Sequence, residues 1–166
     1  MISSSIKVLQ VNLNRSALAT ESALQVAIEL RADLVVVQEP YIIQGDLPKS
    51  INHPSFVQVL PLNVLPQPRV LVYVSRTIKP VVSRAVNSPQ DPDVLVIDII
   101  EGNQKVQLFN IYNKDNQKGI GRNTLNKAIY PSRFSSNTVV LGDFNTYYPW
   151  WDPLGTMSQG AEDLVN

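Results

Sequence analysis

Five polar residues of this sequence follow apolar runs and carry side chains suited to the chemistry of phosphate esters. They are Asn12, Glu39, Tyr112, Asp143 and Asn145. The carboxylates and amides of Asn12, Glu39, Asp143 and Asn145 are hard oxygen ligands, with no imidazole or thiolate among them, and such a set suits Mg²⁺ or Mn²⁺ better than Zn²⁺. Tyr112 adds a phenol beside them. Because Mg²⁺ usually takes one or two protein carboxylates plus substrate phosphate oxygens, the set indicates metal-assisted phosphodiester or phosphomonoester chemistry.

Each of these residues stands at or just beyond the end of a predicted strand. The apolar run over 139–141 stops at Gly142, and an acid and an amide follow. Three upstream runs, over 6–11, 34–38 and 106–111, end in the other three members of the set. Such β-branched runs are typical of buried strands, and ligands of α/β sheets bind outside the carboxyl ends of strands. We therefore expect these polar residues to meet in one site.

The first part of the sequence predicts a βαβ-like unit that would bring two of these ends together. A helix is expected from residue 17 to 31, because Ser16 can cap it and apolar residues recur at helical spacing. Strands at 6–11 and 33–38 flank this helix, and such a unit is normally parallel and right-handed. Asn12 and Glu39 would then lie on the same edge of one sheet.

The middle of the sequence has the features of an antiparallel sheet. A turn at 101–104, with Gly102 and Asn103 tolerating positive φ, separates two strand-like runs. Predicted strands lie at 56–60, 69–74, 78–83, 94–100, 105–112 and 138–142, and predicted helices at 122–130 and from 158 onward.

Composition limits the class of protein. The 166 residues suit a single domain over 1–166, and zero net charge leaves a nucleic-acid partner open. The absence of cysteine excludes disulfides, thiolate metal sites and a cysteine nucleophile. No basic-then-apolar leader and no long apolar run is present, so we expect an intracellular protein with no membrane span.

Four segments, in this order, resemble motifs of the endonuclease/exonuclease/phosphatase superfamily, and most of all the apurinic-type endonuclease domain of non-LTR retrotransposons. They are residues 9–16 (LQVNLNRS), 38–41 (QEPY), 110–113 (NIYN) and 142–145 (GDFN). The resemblance covers essentially the whole chain. It implies an α/β (α+β) fold, a four-layer α/β/β/α sandwich of two mixed sheets flanked by helices, here without its last strands.

The resemblance also implies a role for each residue of the set. Glu39 matches the main metal-ligand glutamate, and Asn12 the asparagine that helps position metal or phosphate. Tyr112 matches the tyrosine that hydrogen-bonds the scissile phosphate. Asp143 matches the aspartate that orients or activates the attacking water, and Asn145 the asparagine that stabilises the pentacovalent phosphorus.

The function implied by this resemblance is Mg²⁺-dependent (or Mn²⁺-dependent) DNA nicking in the nucleus, by a domain that a reverse transcriptase follows in the polyprotein. Neither a membrane nor a small organic cofactor is expected. Complete members end with a catalytic Ser-Asp-His triplet, which this sequence lacks, and its one histidine, His53, lies in an early loop. We therefore expect the domain to be truncated at its C-terminus and the chain to be weakly active or inactive.

One segment of the sequence is locally basic, as expected of a surface that binds a polyanion, although another interpretation is possible. Five basic residues and one acid lie between 113 and 133, and among them Lys118 and Arg122 are predicted DNA contacts. A solvated helix face explains this pattern equally well. Two alternatives for the function also stay open: a phosphatase of the same superfamily that acts on a small phosphate ester or a phospholipid, and a non-enzymatic remnant.

Overall fold

The computed structural model describes residues 5–62, 67–113 and 137–145. Within these ranges the chain forms eight strands and one helix. They are β1 (Val8–Asn12), α1 (Ala17–Glu29), β2 (Leu34–Gln38), β3 (Phe56–Val59), β4 (Val70–Ser75), β5 (Val81–Arg84), β6 (Val94–Glu101), β7 (Gln104–Tyr112) and β8 (Thr138–Asp143). Every predicted strand is present with small shifts of its ends, whereas the helices predicted at 122–130 and from 158 lie outside the described residues.

The eight strands form two four-stranded sheets, and each sheet is mixed. The first sheet has the order β1-β2-β4-β3, in which β1 and β2 are parallel and the other pairs antiparallel. The second sheet has the order β5-β6-β7-β8, in which only β7 and β8 are parallel. The expectation of two mixed sheets is therefore confirmed. Of the expected flanking helices, α1 is the one that lies within the described ranges.

Helix α1 connects the parallel strands β1 and β2 and covers the outer face of the first sheet. The Ser16 hydroxyl accepts a hydrogen bond from the Ala19 N–H at 3.1 Å, which caps the helix as the sequence predicts. Leu24 and Ala27 of α1 are buried in one cluster with side chains of β2 and β4. This packing sets the position of β1 and β2, and hence of the residues at their ends.

Alternate residues of the inner strands fill the space between the two sheets. From the first sheet come Leu34, Val36, Val70, Val72 and Val74, and from the second come Leu95, Ile97, Ile99 and Leu108. Because side chains alternate along a strand, the neighbouring residues of β2 and β4 point to α1 instead. The described part of the chain therefore shows a helix, a sheet and a sheet packed in that order. It includes no helix that is long and apolar enough to cross a membrane.

Candidate active site

Six strands, three from each sheet, begin or end at one place, and each supplies one polar side chain. In the first sheet, the N–H of Glu39, after β2, donates to the carbonyl of Arg69, before β4, at 2.8 Å. In the second sheet, the N–H of Tyr112 donates to the carbonyl of Asp93, before β6, at 2.9 Å. We call these residues the strand-end cluster: Asn12, Glu39 and Arg69 from the first sheet, and Asp93, Tyr112 and Asp143 from the second.

Side chains of the strand-end cluster contact one another across the two sheets. The Asn12 amide donates to Oδ2 of Asp143 at 2.8 Å and lies 3.5 Å from Oε1 of Glu39. The Tyr112 hydroxyl lies beside the Glu39 carboxylate, which raises the pKa of the phenol through hydrogen bonding and charge. The contacts therefore bring two carboxylates, one from each sheet, close to the same amide and the same phenol.

The orientation of Asn12 is set by its own loop. Its Oδ1 accepts a hydrogen bond from the N–H of Asn14 at 2.9 Å, so its NH₂ group faces the carboxylates of Glu39 and Asp143. In this arrangement Asn12 holds the two acids by donating to them. The predicted role of Asn12 as a metal or phosphate ligand stays a prediction and would use the remaining lone pair of Oδ1.

Backbone strain collects at this end of the molecule. Among the described residues, five other than glycine have positive φ, and four of them lie in or beside the site: Asn14, Arg15, Glu39 and Asn145. For a side chain such as that of Glu39, at φ 47°, the left-handed region costs about 1–2 kcal/mol. The Glu39 carbonyl accepts from the N–H of Arg15 at 2.8 Å, which ties two of the strained residues together. Such outliers cluster where the surrounding structure must aim a side chain.

Asn145 is tied to the strand that carries Tyr112. Its side-chain amide donates to the Asn113 carbonyl at 2.7 Å, and its N–H lies 3.3 Å from Oδ1 of Asp143. In return, the Asn113 amide donates to the Phe144 carbonyl at 2.7 Å. These reciprocal bonds hold the loop after β8 against the end of β7. Within the described ranges only one N–H of the exposed Asn145 amide has a partner, so the other can reach a ligand.

Gly142 allows β8 to approach β7 closely. A Cβ atom at this position would stand 2.1 Å from the backbone oxygen of Ile111, which is far inside contact distance. The glycine that ends the apolar run is therefore required by sterics, one residue before Asp143.

A chain of three amides lies directly beneath the strand-end cluster and joins the two sheets. Gln10 on β1 donates to the Gly142 carbonyl at 2.8 Å and lies 3.5 Å from Oε1 of Gln38 on β2. Gln38 donates to Oδ1 of Asn110 on β7 at 2.6 Å. The Asn110 amide donates back to two backbone carbonyls of the first sheet, both at 3.0 Å. Because Gln38 and Asn110 are fully buried, we expect this amide layer to fix the register between the sheets.

The electrostatics of the site keep Tyr112 protonated. Burial is the largest cause, and the hydrogen bond and negative charge of Glu39 and the charge of Asp143 add to it, so that the pKa of Tyr112 rises to about 12. The charge of Arg69 acts in the opposite direction. At neutral pH the phenol can therefore donate a hydrogen bond to a phosphate oxygen, and it cannot serve as a base.

The donor set fits a hard divalent cation. No group of three or more histidine, aspartate or glutamate residues with metal-site geometry occurs within the described ranges. Glu39 and Asp143 nevertheless converge on one amide, and Mg²⁺ needs only one or two carboxylates when substrate phosphate completes its shell. Glu39 is largely shielded, with 17% of its side chain exposed, and Nε of Arg15 lies 3.7 Å from its Oε2.

The five residues predicted as strand-end ligands thus lie together in space, whereas Lys118 and Arg122 lie outside the described residues. Sequence reasoning missed Arg69 and Asp93. A signal existed, because a charged residue directly precedes each of the strands β4 and β6. In an antiparallel sheet the beginning of one strand lies beside the end of its neighbour.

Comparison with solved structures shows that this arrangement of two facing mixed sheets is similar in fold to nucleases and phosphodiesterases, among them a protein of the endonuclease/exonuclease/phosphatase family. Among the similar structures is the endonuclease domain of TRAS1, a telomere-specific non-LTR retrotransposon. It is 18% identical, with a TM-score of 0.62 over 89% of this chain and 62% of that chain.

Two further structures have the same fold. One is TDP2 from D. rerio, complexed with a single-strand DNA product: 11% identity and a TM-score of 0.51 over 93% of this chain and 66% of that chain. The other is an endonuclease/exonuclease/phosphatase family protein from Leptotrichia buccalis C-1013-b: 16% identity and a TM-score of 0.51 over 86% of this chain and 69% of that chain. The sequence matches no protein-family model and is not significantly similar to any curated protein.

Proposed function

We propose that this chain carries the metal- and phosphate-binding centre of a Mg²⁺-dependent phosphodiesterase, and that it nicks DNA as the endonuclease domain of a retrotransposon polyprotein. The observation that carries the proposal is the convergence of Glu39 and Asp143, from different sheets, on Asn12 beside a protonated Tyr112. The likeness to the TRAS1 domain, and to a TDP2 structure that holds a DNA product, supports DNA as the substrate.

Each side chain has one task in this proposal. Mg²⁺, held by Glu39 with Asn12, would supply positive charge to the phosphate where negative charge develops. Tyr112 donates its hydroxyl proton in a hydrogen bond to a non-bridging phosphate oxygen. Asp143 accepts a hydrogen bond from the attacking water and aligns it opposite the leaving oxygen. The side-chain N–H of Asn145 that does not bond Asn113 donates to the phosphate as its charge increases.

Metal binding by the whole chain is the first test. We expect calorimetric titration with Mg²⁺, and separately with Mn²⁺, to show a saturable site that Glu39→Ala abolishes. Asp46→Ala, which removes an exposed carboxylate from the loop after β2, is the matched control and should bind as the unmodified chain does. The proposal fails if the unmodified chain has no saturable site, or if Glu39→Ala leaves the affinity unchanged.

Nicking of supercoiled plasmid in Mg²⁺ is the second test. We expect slow nicking, lost in Glu39→Ala and in Asp143→Asn. Slow turnover is expected because the resemblance implies a catalytic histidine. The one histidine of this sequence, His53, stands in the loop before β3 and is not part of the strand-end cluster. Release of phosphate from an inositol phosphate with the plasmid left intact would replace the proposal with the phosphatase alternative. Binding of neither metal would identify a non-enzymatic remnant.

A further inference from the structure

Arg69 and Asp93 complete the strand-end cluster on the side away from Asn12, and the roles proposed above use neither of them. Nε and one terminal nitrogen of Arg69 donate to the two carboxylate oxygens of Asp93, so the pair is two-pronged. Only 18% of the Arg69 side chain and 10% of the Asp93 side chain are exposed. Such a shielded pair holds the plane of a guanidinium group in one orientation.

The backbones of the same two residues hold the chain segments that carry the candidate catalytic groups. The Arg69 carbonyl accepts from the N–H of Glu39 at 2.8 Å, and the Asp93 carbonyl accepts from the N–H of Tyr112 at 2.9 Å. In addition, the Arg69 N–H donates to the Pro92 carbonyl at 2.7 Å. The pair therefore bridges the first sheet at Glu39 and the second sheet at Tyr112.

The guanidinium group held in this way faces the aromatic ring of Tyr112. Its central carbon lies 5.4 Å from the ring centroid, within the range of a cation–π contact. The ring thus has Arg69 against its face, while its hydroxyl reaches Glu39 at its tip. We expect these two contacts to restrict the rotation of the phenol.

We propose that Arg69, oriented by Asp93, is a positioning residue for Tyr112. It holds the phenol so that the hydroxyl stays beside Glu39 and can meet the phosphate. The effect on catalysis rests on the proposed function, whereas the effect on the orientation of Tyr112 does not. A purely structural pair would instead stabilise the sheets without any coupling to Tyr112.

The test compares Arg69→Lys and Arg69→Met with Arg76→Met, which removes an exposed arginine just after the other end of β4. Selectively labelled tyrosine, with signals assigned through Tyr112→Phe, reports the ring of Tyr112 by NMR. We expect both Arg69 variants to shift or broaden the Tyr112 signals, and Arg76→Met to leave them unchanged. Lysine should fail to rescue, because a point charge cannot form the two-pronged pair or present a planar face.

Kinetics provide the second readout. We expect Arg69→Met to lower kcat for phosphodiester hydrolysis by about tenfold to a hundredfold, as a small displacement of a reacting group does. The KM for DNA should change little. In a Tyr112→Phe background the same substitution should change kcat less than about twofold, since the residue through which Arg69 acts is gone.

The outcomes distinguish a positioning role of Arg69 for Tyr112 from a purely structural role of the Arg69–Asp93 pair. Unshifted Tyr112 signals in a folded Arg69→Met protein, or multiplicative effects of Arg69→Met and Tyr112→Phe on kcat, would overturn the inference. If Arg69→Met does not fold, Asp93→Asn takes its place, because it keeps the shape of the carboxylate and removes the charge that orients Arg69. If the unmodified chain hydrolyses no phosphodiester, the proposed function fails while the NMR comparison still tests the positioning role.

Discussion

The side-chain amide of Asn12 donates a hydrogen bond of 2.8 Å to the carboxylate of Asp143, although 131 residues separate the two along the chain. The contact joins the first sheet to the second at the point where β1 and β8 end. The same amide lies 3.5 Å from the Glu39 carboxylate, so one neutral group separates two negative ones. The candidate site therefore depends on both sheets being packed together.

Replacing this amide by a third acid should make the stability of the protein depend on metal. With a chelator present, Asn12→Asp should lower the free energy of unfolding by about 2 kcal/mol, because a hydrogen bond to a charged group becomes a repulsion. Mg²⁺ should recover most of that loss, since it binds the folded state and neutralises the acids. Urea unfolding with chelator and with Mg²⁺ measures both effects. Asn103→Asp, in the exposed β6–β7 turn, is the control, and an equal response of the two variants would refute the prediction.

Adding one methyl group next to Asp143 should destabilise the fold strongly. Gly142→Ala would place a Cβ atom 2.1 Å from a backbone oxygen of β7, so β8 has to move away. We expect a loss of about 3 kcal/mol in the free energy of unfolding. Gly45→Ala serves for comparison, because the nearest atom to its added Cβ would be the backbone oxygen of Leu47 at 3.9 Å, an ordinary contact distance. A Gly142→Ala protein as stable as Gly45→Ala would show that β7 and β8 are not packed as described.

Breaking the buried amide layer should destabilise the fold strongly. Asn110→Ala leaves the Gln38 amide without its acceptor, removes a second hydrogen bond from two backbone carbonyls that are already paired in the first sheet, and opens a cavity between the sheets. We expect a loss of about 3 kcal/mol or more, measured by urea unfolding. Gln104→Ala, at the exposed start of the same strand, should change stability little. The double variant with Gln38→Ala should be less destabilised than the sum of the single changes, because both remove the same bond.

The raised pKa of Tyr112 predicts a loss of stability at high pH. The folded protein holds the phenol proton up to a pKa of about 12, whereas the unfolded chain releases it near the ordinary value of 10.0. Stability from this group is therefore fully present below pH 10 and falls as the pH rises from about 10 to 12. Unfolding with chelator across this range should show a smaller fall in Tyr112→Phe. Some fall should remain, because burial also raises the pKa of Tyr73. An identical fall in Tyr112→Phe would show that Tyr112 is not responsible.

Local features of the sequence predicted most of the described elements. The hydrophobic run of β2, the cap at Ser16 and the turn at Gly102 are each specified by a few adjacent residues, so periodicity and turn preference suffice to place them. The same holds for the five strand-end residues of the site, because each one follows an apolar run, Asp143 and Asn145 sharing the last of the four. Glu39 differs in one respect, since its positive φ is not visible in the sequence and is maintained by contacts with Arg15 and Arg69.

Other members of the site could not be read from adjacent residues. Arg69 and Asp93 stand just before strands β4 and β6. Because β4 is antiparallel to β2, and β6 to β7, the starts of β4 and β6 lie at the same edge as the ends of β2 and β7. In the sequence, Gln38 and Asn110 are merely polar residues within apolar strands. Their role could not be predicted, because they hydrogen-bond to each other across the two sheets.

The sequence by itself determined which residues stand at strand ends and that their oxygen-rich side chains suit a hard cation and phosphate, because these properties depend on residue type and short-range pattern. The tertiary structure alone decided that Asn12 separates Glu39 from Asp143, that Arg69 lies against Tyr112, and that an amide layer joins the sheets beneath them. The physical reason is that these contacts join strands of different sheets, and packing between sheets is set by the buried side chains of the whole core.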